Sequence, residues 1–144
     1  MMRKIAFLGV VVADIVGTPI DSLPERGTLA LIDRLELHIG GNAANAAASA
    51  SRLGEPALLI GKVGRDTLGD VVSGKLAEVG VDTRGLARDP SAPTSASLVT
   101  VHGDGERSFL HAPGANATLT PDDVRRDLLD DAFALHVAGL QLLP

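Results

Sequence analysis

From Lys4 to Ala13 the chain is an almost unbroken apolar run, rich in β-branched residues and bounded by Lys4 and Asp14. A run of this length without alternation predicts a strand buried on both faces, as in a parallel sheet. Gly17–Gly27, with Pro19 and Pro24, is turn-rich. Thr28–Ile39 then alternates: Leu31, Asp33, Leu35 and Leu37 fall on one side, Ile32, Arg34, Glu36 and His38 on the other. That period predicts an exposed, one-sided strand or strand pair.

Gly40-Gly41 ends the alternation. The Ala-rich stretch Asn42–Leu53 has helical propensity, and Gly54 suits the position just past its C-terminus. Pro56–Val63 predicts a second buried strand. Asp66 or Thr67 can cap a helix that runs to about Val79 and closes at Gly80. Thr94–His102 and Glu106–His111 read as a hairpin about Gly103-Asp104-Gly105. Thr120-Pro121-Asp122-Asp123 has the form of a helix start: an N-cap, proline in first position and early acids. Phe133–Ala138 returns to a buried strand. Strands alternating with helices predict an α/β sheet. The exposed strands of the 28–39 segment and of the hairpin predict a small sheet standing off the core.

Composition narrows the function classes. The 144 residues carry 13 basic and 18 acidic side chains, a net charge of −5, spread so that neither half is a basic arm. With aromatics at 2%, all of them Phe, the chain offers neither the basic stripe nor the stacking platforms of a nucleic-acid binder. At 45% apolar it can bury a core, and with so few aromatics that core must be Ala, Val, Leu and Ile. Cysteine is absent, which removes disulfides and thiolate metal sites and fits a cytoplasmic protein. Met1-Met2-Arg3-Lys4 and the run after it resemble a short signal peptide, but Asp14 interrupts the run and a first strand is the better reading. No apolar run reaches the ~18–20 residues of a membrane helix.

The most informative chemistry lies at Gly40-Gly41-Asn42-Ala43-Ala44-Asn45. Paired glycines allow a ligand close to the backbone at a helix N-terminus. Asn42 and Asn45 share a helix face, and their amides suit vicinal hydroxyls. The same residues also suit an ordinary loop-to-helix junction with Asn caps. Asp14, just past the expected end of the first strand, lies where open α/β sheets bind ligands, and it equally suits a turn. Gly61–Gly69 lacks the Gly-Lys-Ser/Thr ending of a phosphate loop and reads as strand end, turn and helix cap. His38, His102, His111 and His136 have no metal-ligand spacing and read as structural or solvated. Arg125-Arg126 with Asp122, Asp123 and Asp127 reads as a solvated helix face.

Taken in order, these residues resemble the N-terminal half of a PfkB-family, ribokinase-like carbohydrate kinase. The resemblance rests on the first strand ending near Asp14, Gly40-Gly41 with Asn45, Gly54, and Val63-Gly64 with Asp66 and Gly69. It continues through Gly80-Val81-Asp82-Thr83, Thr94-Ser95, Gly103-Asp104-Gly105-Glu106-Arg107 and Gly114-Ala115-Asn116-Ala117. It implies a doubly wound, Rossmann-like α/β core with a β-sheet lid built from segments near 15–39 and 94–112. It also implies transfer of the ATP γ-phosphoryl group to a hydroxyl of a small sugar, with Mg-ATP and a monovalent cation, and a homodimer joined through the lid.

Carried over by position, Asp14 would bind substrate hydroxyls. Gly40, Gly41 and Asn45 would hold the sugar against the core. Ser95, Ser97 and Phe109 would cover it. Arg107 would meet any phosphate or carboxylate. Asn42 stands where some relatives place a lysine. The family's base and anion hole come from a late Gly-Ala-Gly-Asp motif. That motif is absent here, and the chain ends at Pro144, so no catalytic residue is expected in it and the piece alone should be inactive. Scarce aromatics favour a sugar over a nucleoside, whose base would need a clamp. Ribose, fructose, a keto-deoxy sugar acid and a sugar phosphate stay open, as do a nucleoside kinase and a non-catalytic sugar-binding or dimerising module.

Overall fold

The computed structural model describes residues 4–144 and forms two four-stranded sheets. Met1–Arg3, which lead into the first strand, lie outside the described residues. The large sheet contains β1 (Lys4–Gly9), β4 (Ala57–Gly64), β5 (Asp82–Asp89) and β8 (Ala132–Ala138) in the order β5-β4-β1-β8. All its pairings are parallel. The small sheet contains β2 (Val12–Thr18), β3 (Arg34–Gly40), β6 (Ala96–Val101) and β7 (Arg107–Ala112) in the order β3-β2-β6-β7. Its central pair β2–β6 is parallel and its outer pairs are antiparallel.

Two helices cover one face of the large sheet. In α1 (Asn42–Arg52), Ala43, Ala44, Ala47 and Ala48 recur at the helical period and are buried. Methyl side chains let this helix lie close to β1 and β4, and they join Phe7, Val11, Leu59 and Val63 in the main core. α2 (Thr67–Glu78) adds Val72 and Leu76. Its N-cap is Asp66, whose carboxylate accepts from the Gly69 N–H at 2.8 Å and from the Thr94 N–H at 2.7 Å. The Thr94 hydroxyl donates to it at 2.6 Å. Ala6, Leu58 and Ile60 face the other way, against Val124, Leu128 and Leu129.

The structure corrects the sequence reading in several places. The run Lys4–Ala13 is two strands in two sheets: the chain leaves the large sheet after Gly9 and enters the small one at Val12. Val10, Val11, Val12 and Ala13 are all buried, so hydropathy carries no mark of the crossing. Asp14 accordingly lies within β2, not past a strand end. The 28–39 strand begins only at Arg34; Leu29 and Leu31 alternate but are exposed and unpaired with any strand. β5 was not expected, because its polar edge sequence Asp-Thr-Arg-Gly-Leu-Ala-Arg-Asp shows neither alternation nor an apolar run.

The helix expected from Thr120 is a 3-10 turn at Pro121–Asp123, followed by a single helical turn, α3 (Arg126–Leu129). The capping box between Thr120 and Asp123 does form. Extended Val124 then breaks the helix, while Asp123 is drawn onto Lys62 at 3.0 Å. Asp123 is thus no part of a solvated face, whereas Arg125 and Asp127 form an exposed pair. Finally, Phe133–Ala138 was expected to be buried but forms the edge strand β8, leaving Phe133 54% exposed.

Candidate functional site

Between the small sheet and the N-terminus of α1 lies an open cleft with a volume of about 470 Å³. That is within the roughly 300–1,000 Å³ usual for small-molecule sites. Val10, Val12, Asp14, Gly41, Asn42, Asn45, Ser97, Arg107, Phe109 and His111 line it.

Strand register explains the polar wall. Asp14 on β2 stands directly opposite Ser97 on β6, and Ser97 stands opposite His111 on β7. Residues paired across neighbouring strands point to the same face, so the three side chains form one row. The Ser97 hydroxyl and His111 Nδ1 are hydrogen-bonded at 3.1 Å. Phe109 and Arg107 follow on β7 at the strand period, on the same face. The row presents a carboxylate, a hydroxyl and an imidazole, with the Phe109 ring and the Arg107 guanidinium beside them.

The facing wall is the start of α1. Gly41 is its N-cap with φ +89°, a left-handed conformation that disfavours any side chain, and a Cβ there would overlap the Val10 carbonyl. The bare backbone lets the Ala44 N–H reach the Val10 carbonyl oxygen at 3.4 Å, which holds the helix start against the strand crossing. Asn42 and Asn45 lie in the first turn, exposed toward the cleft, where the helix dipole is positive. A ligand with several hydroxyls would meet donors on this wall and an acceptor carboxylate on the other.

Of the residues singled out from the sequence, Asp14, Gly41, Asn42, Asn45, Ser97, Arg107 and Phe109 meet in this cleft. Gly40 sits beneath it: a Cβ there would overlap the Asp14 carboxylate. Ser95 does not reach it. It is wholly buried; its hydroxyl donates to the Pro113 carbonyl and accepts from the Asn116 N–H at 3.2 Å. His111 is the residue that sequence reasoning missed. Its signal was available, since it lies at the strand period from Phe109 and Arg107, on the face they share.

Outside the cleft lining, a charged cluster ties β4 and β5 of the large sheet to the 3-10 turns that follow β7. Lys62 on β4 reaches Asp89 at 3.3 Å and Asp123 at 3.0 Å, and donates to the Thr118 carbonyl at 2.9 Å. Burial pushes the Lys62 ammonium down, but its hydrogen bonds to Asp123 and Asp89 outweigh this and hold it above the ordinary lysine value. Asp89 is held well below the usual carboxylate range, first by the Ala92 N–H, then by the Thr118 hydroxyl and the Ser91 N–H. Each of these groups has its partners within the fold, so the cluster reads as scaffold.

Residues 2–144 match the description pfkB family carbohydrate kinase. The chain belongs to the pfkB family. This pfkB chain is 37% identical to the fructokinase of Solanum tuberosum over 106 residues, 72% of this chain and 33% of that protein. It is 37% identical over 106 residues to fructokinase-1 of Zea mays, again covering 72% of this chain and 33% of the relative. The crystal structure of fructokinase from Xylella fastidiosa superposes with a TM-score of 0.78 at 28% identity, covering 95% of this chain and 41% of that one. The structure of Arabidopsis thaliana ribokinase complexed with ribose and ATP gives 0.80 at 25% identity, covering 95% and 45%. This pfkB chain therefore spans about a third of the length of those curated relatives, and its ribokinase-like fold is the N-terminal portion of theirs.

The described residues include no group of three or more His, Asp or Glu side chains that could hold a metal by themselves, and the cleft contributes a single carboxylate, Asp14. No described helix is long and apolar enough to cross a membrane.

Proposed function

We propose that this chain is the sugar-binding part of a cytoplasmic kinase that transfers the γ-phosphoryl group of ATP to a hydroxyl of a small sugar, and that the sugar is fructose. The observation that carries this reading is the meeting, in one cleft, of the Asp14–Ser97–His111 row with the Gly41–Asn45 turn. Asp14 accepts from two neighbouring hydroxyls, Asn42 and Asn45 bond others, and Phe109 covers an apolar ring face. The small sheet acts as a lid over the sugar, its strands falling in the segments near 15–39 and 94–112. The choice of fructose is supported by the fructokinases among its relatives. A nucleoside fits less well, since Phe109 is the only aromatic ring besides His111 lining the cleft and one phenyl face cannot clamp a base from both sides. Phosphoryl transfer also needs charge neutralisation, an anion site and a base, so the chemistry falls to residues other than these.

A homodimer joined through the small sheet is part of the proposal. Ile15, Leu37, Leu98 and Leu110 share the face turned away from the cleft, by their register. Beside them Leu23 and Leu35 are exposed. Titration calorimetry with fructose, ribose, a keto-deoxy sugar acid and adenosine tests the function. Saturable heat is expected for fructose, with weaker binding of the others. Heat only with adenosine would replace the sugar with a nucleoside, and no heat with any of them would sink the reading.

A further inference from the structure

At Val10-Val11 the chain passes from the large sheet to the small one, and among the described residues no strand offers Val11 a ladder partner there. Its buried peptide groups are taken instead by one side chain. Asn116, 1% exposed, accepts from the Val11 N–H through Oδ1 at 3.2 Å and donates from Nδ2 to the Val11 carbonyl at 3.0 Å. A carboxamide has the donor and acceptor of a peptide unit, so it completes the pairing that a strand would otherwise supply. Asn116 belongs to the 3-10 turn Gly114–Thr118 that follows β7. Its own N–H bonds the Ser95 hydroxyl, and the Ser95 carbonyl accepts from the Ala13 N–H at 2.8 Å. Three places where the chain passes between the sheets thus converge on one residue, Asn116.

The neighbours of Val11 are cleft residues. Val10 and Val12 line it, the Val10 carbonyl holds the start of α1, and Asp14 lies three residues on. We infer that Asn116 is a positioning residue for the sugar cleft: by fixing the Val11 peptide groups it sets the distance between the Asp14 row and the Asn42–Asn45 turn. The inference rests on the sugar-binding reading above. Asn116 itself is absent from the cleft lining, so it acts only through Val11.

The discriminating variant is Asn116→Asp in the full chain, with fructose affinity measured by calorimetry against pH. The ionised carboxylate still accepts from the Val11 N–H but has no proton for the Val11 carbonyl, which it repels. The protonated acid restores that donor, and burial raises its pKa into an accessible range. Expected is a dissociation constant about tenfold weaker than wild type near about pH 8, recovering to within about twofold near about pH 5. Asp14, Arg107 and His111 line the cleft, and Asp66, Asp89, Asp123 and Lys62 lie on the elements around Thr94 and Thr118. These groups are common to both proteins, so each point is referred to wild type at the same pH.

Leu76→Ala, a core truncation outside the cleft lining, serves as control and should lower the melting temperature with affinity unchanged. If Asn116→Asp does not fold, Asn116→Ser has a shorter hydroxyl that reaches the Val11 carbonyl only through a bridging water, and an intermediate loss of about threefold is expected at every pH. Wild-type affinity in a folded variant, with stability alone reduced, overturns the positioning role, as does a loss in Asn116→Asp that does not recover at low pH. Failure of the wild type itself to bind any sugar overturns the underlying reading and this inference with it.

Discussion

The Asp14 carboxylate lies over the bare Cα of Gly40, in space that a Cβ would take. The two residues share a face of the small sheet: Gly40 pairs with Val12, and Asp14 pairs with His38 two places along. Gly40→Ala should therefore displace the carboxylate without touching the ligand. A loss of fructose affinity of about tenfold is expected, the scale of one displaced hydrogen bond to a charged group. Calorimetry of the double variant checks the cause. Gly40→Ala with Asp14→Ala should bind no worse than Asp14→Ala alone, because the two changes act through one group. Additive losses would separate Gly40 from Asp14.

Asp14→Asn tests the carboxylate itself. The amide keeps the size but gives up one acceptor and the charge. A charged hydrogen bond is worth about 1.5–3 kcal/mol, so affinity should drop by about 10- to 100-fold. Asp14 is only partly buried and serves no cap or ion pair among the described residues. Its melting temperature should therefore stay within about 3 °C of wild type, about 1 kcal/mol or less for a domain of this size. A large fall in melting temperature with unchanged affinity would make Asp14 a structural residue instead.

Much of this cleft was legible in the sequence because its parts are local. Gly40-Gly41 with Asn42 and Asn45 is one turn and one helix start, and the spacing Arg107, Phe109 is one strand face. What stayed hidden depends on pairing at a distance. Asp14, Ser97 and His111 form a row only through the β2–β6 and β6–β7 registers, which no single segment encodes. Ser95 was misplaced for the converse reason. It stands two residues before Ser97 on the same side of the chain, but it precedes β6 and turns into the junction with Asn116. The split of Lys4–Ala13 was invisible because Val10 and Val11 are as buried in the crossing as Ala6 is in the sheet. β5 escaped because parallel edge pairing to β4 comes from backbone groups that any sequence carries.

The Lys62 cluster gives the fold an acid-sensitive joint. Asp89 and Asp123 are both held below the ordinary carboxylate value. In Asp123 burial works the other way and is outweighed by hydrogen bonds from the Thr120 N–H and Lys62. A carboxyl whose folded pKa is depressed contributes stability that is present above its unfolded value and lost as pH falls toward the folded one. The melting temperature should thus be flat near neutrality and decline below about pH 4. Lys62→Met leaves two carboxylates facing each other without a cation, and truncating one partner of a buried pair costs about 3–5 kcal/mol. The variant should therefore be less stable at neutral pH by about 3 kcal/mol, and acid should cost it less than it costs wild type. Urea unfolding at a series of pH values measures both.

The dimer proposed above would use the outer face of the small sheet. Leu35 is 62% and Leu110 59% exposed, and they flank Ile15, Leu37 and Leu98 on one surface. Contiguous apolar surface of this kind on a twisted sheet is costly to leave in water, and a two-fold copy of itself is the complement that requires no second protein. Sedimentation equilibrium should show a dimer. Introducing a charge at each position, Leu35→Asp with Leu110→Asp, places four carboxylates in the proposed contact, and the dimer dissociation constant should rise at least about 100-fold. Leu110 lies on the face of β7 opposite Phe109, so fructose binding by the monomeric variant should stay within a few-fold of wild type. A wild-type chain that sediments as a monomer at every concentration tested, or a double variant that still dimerises, would remove the small sheet from the interface.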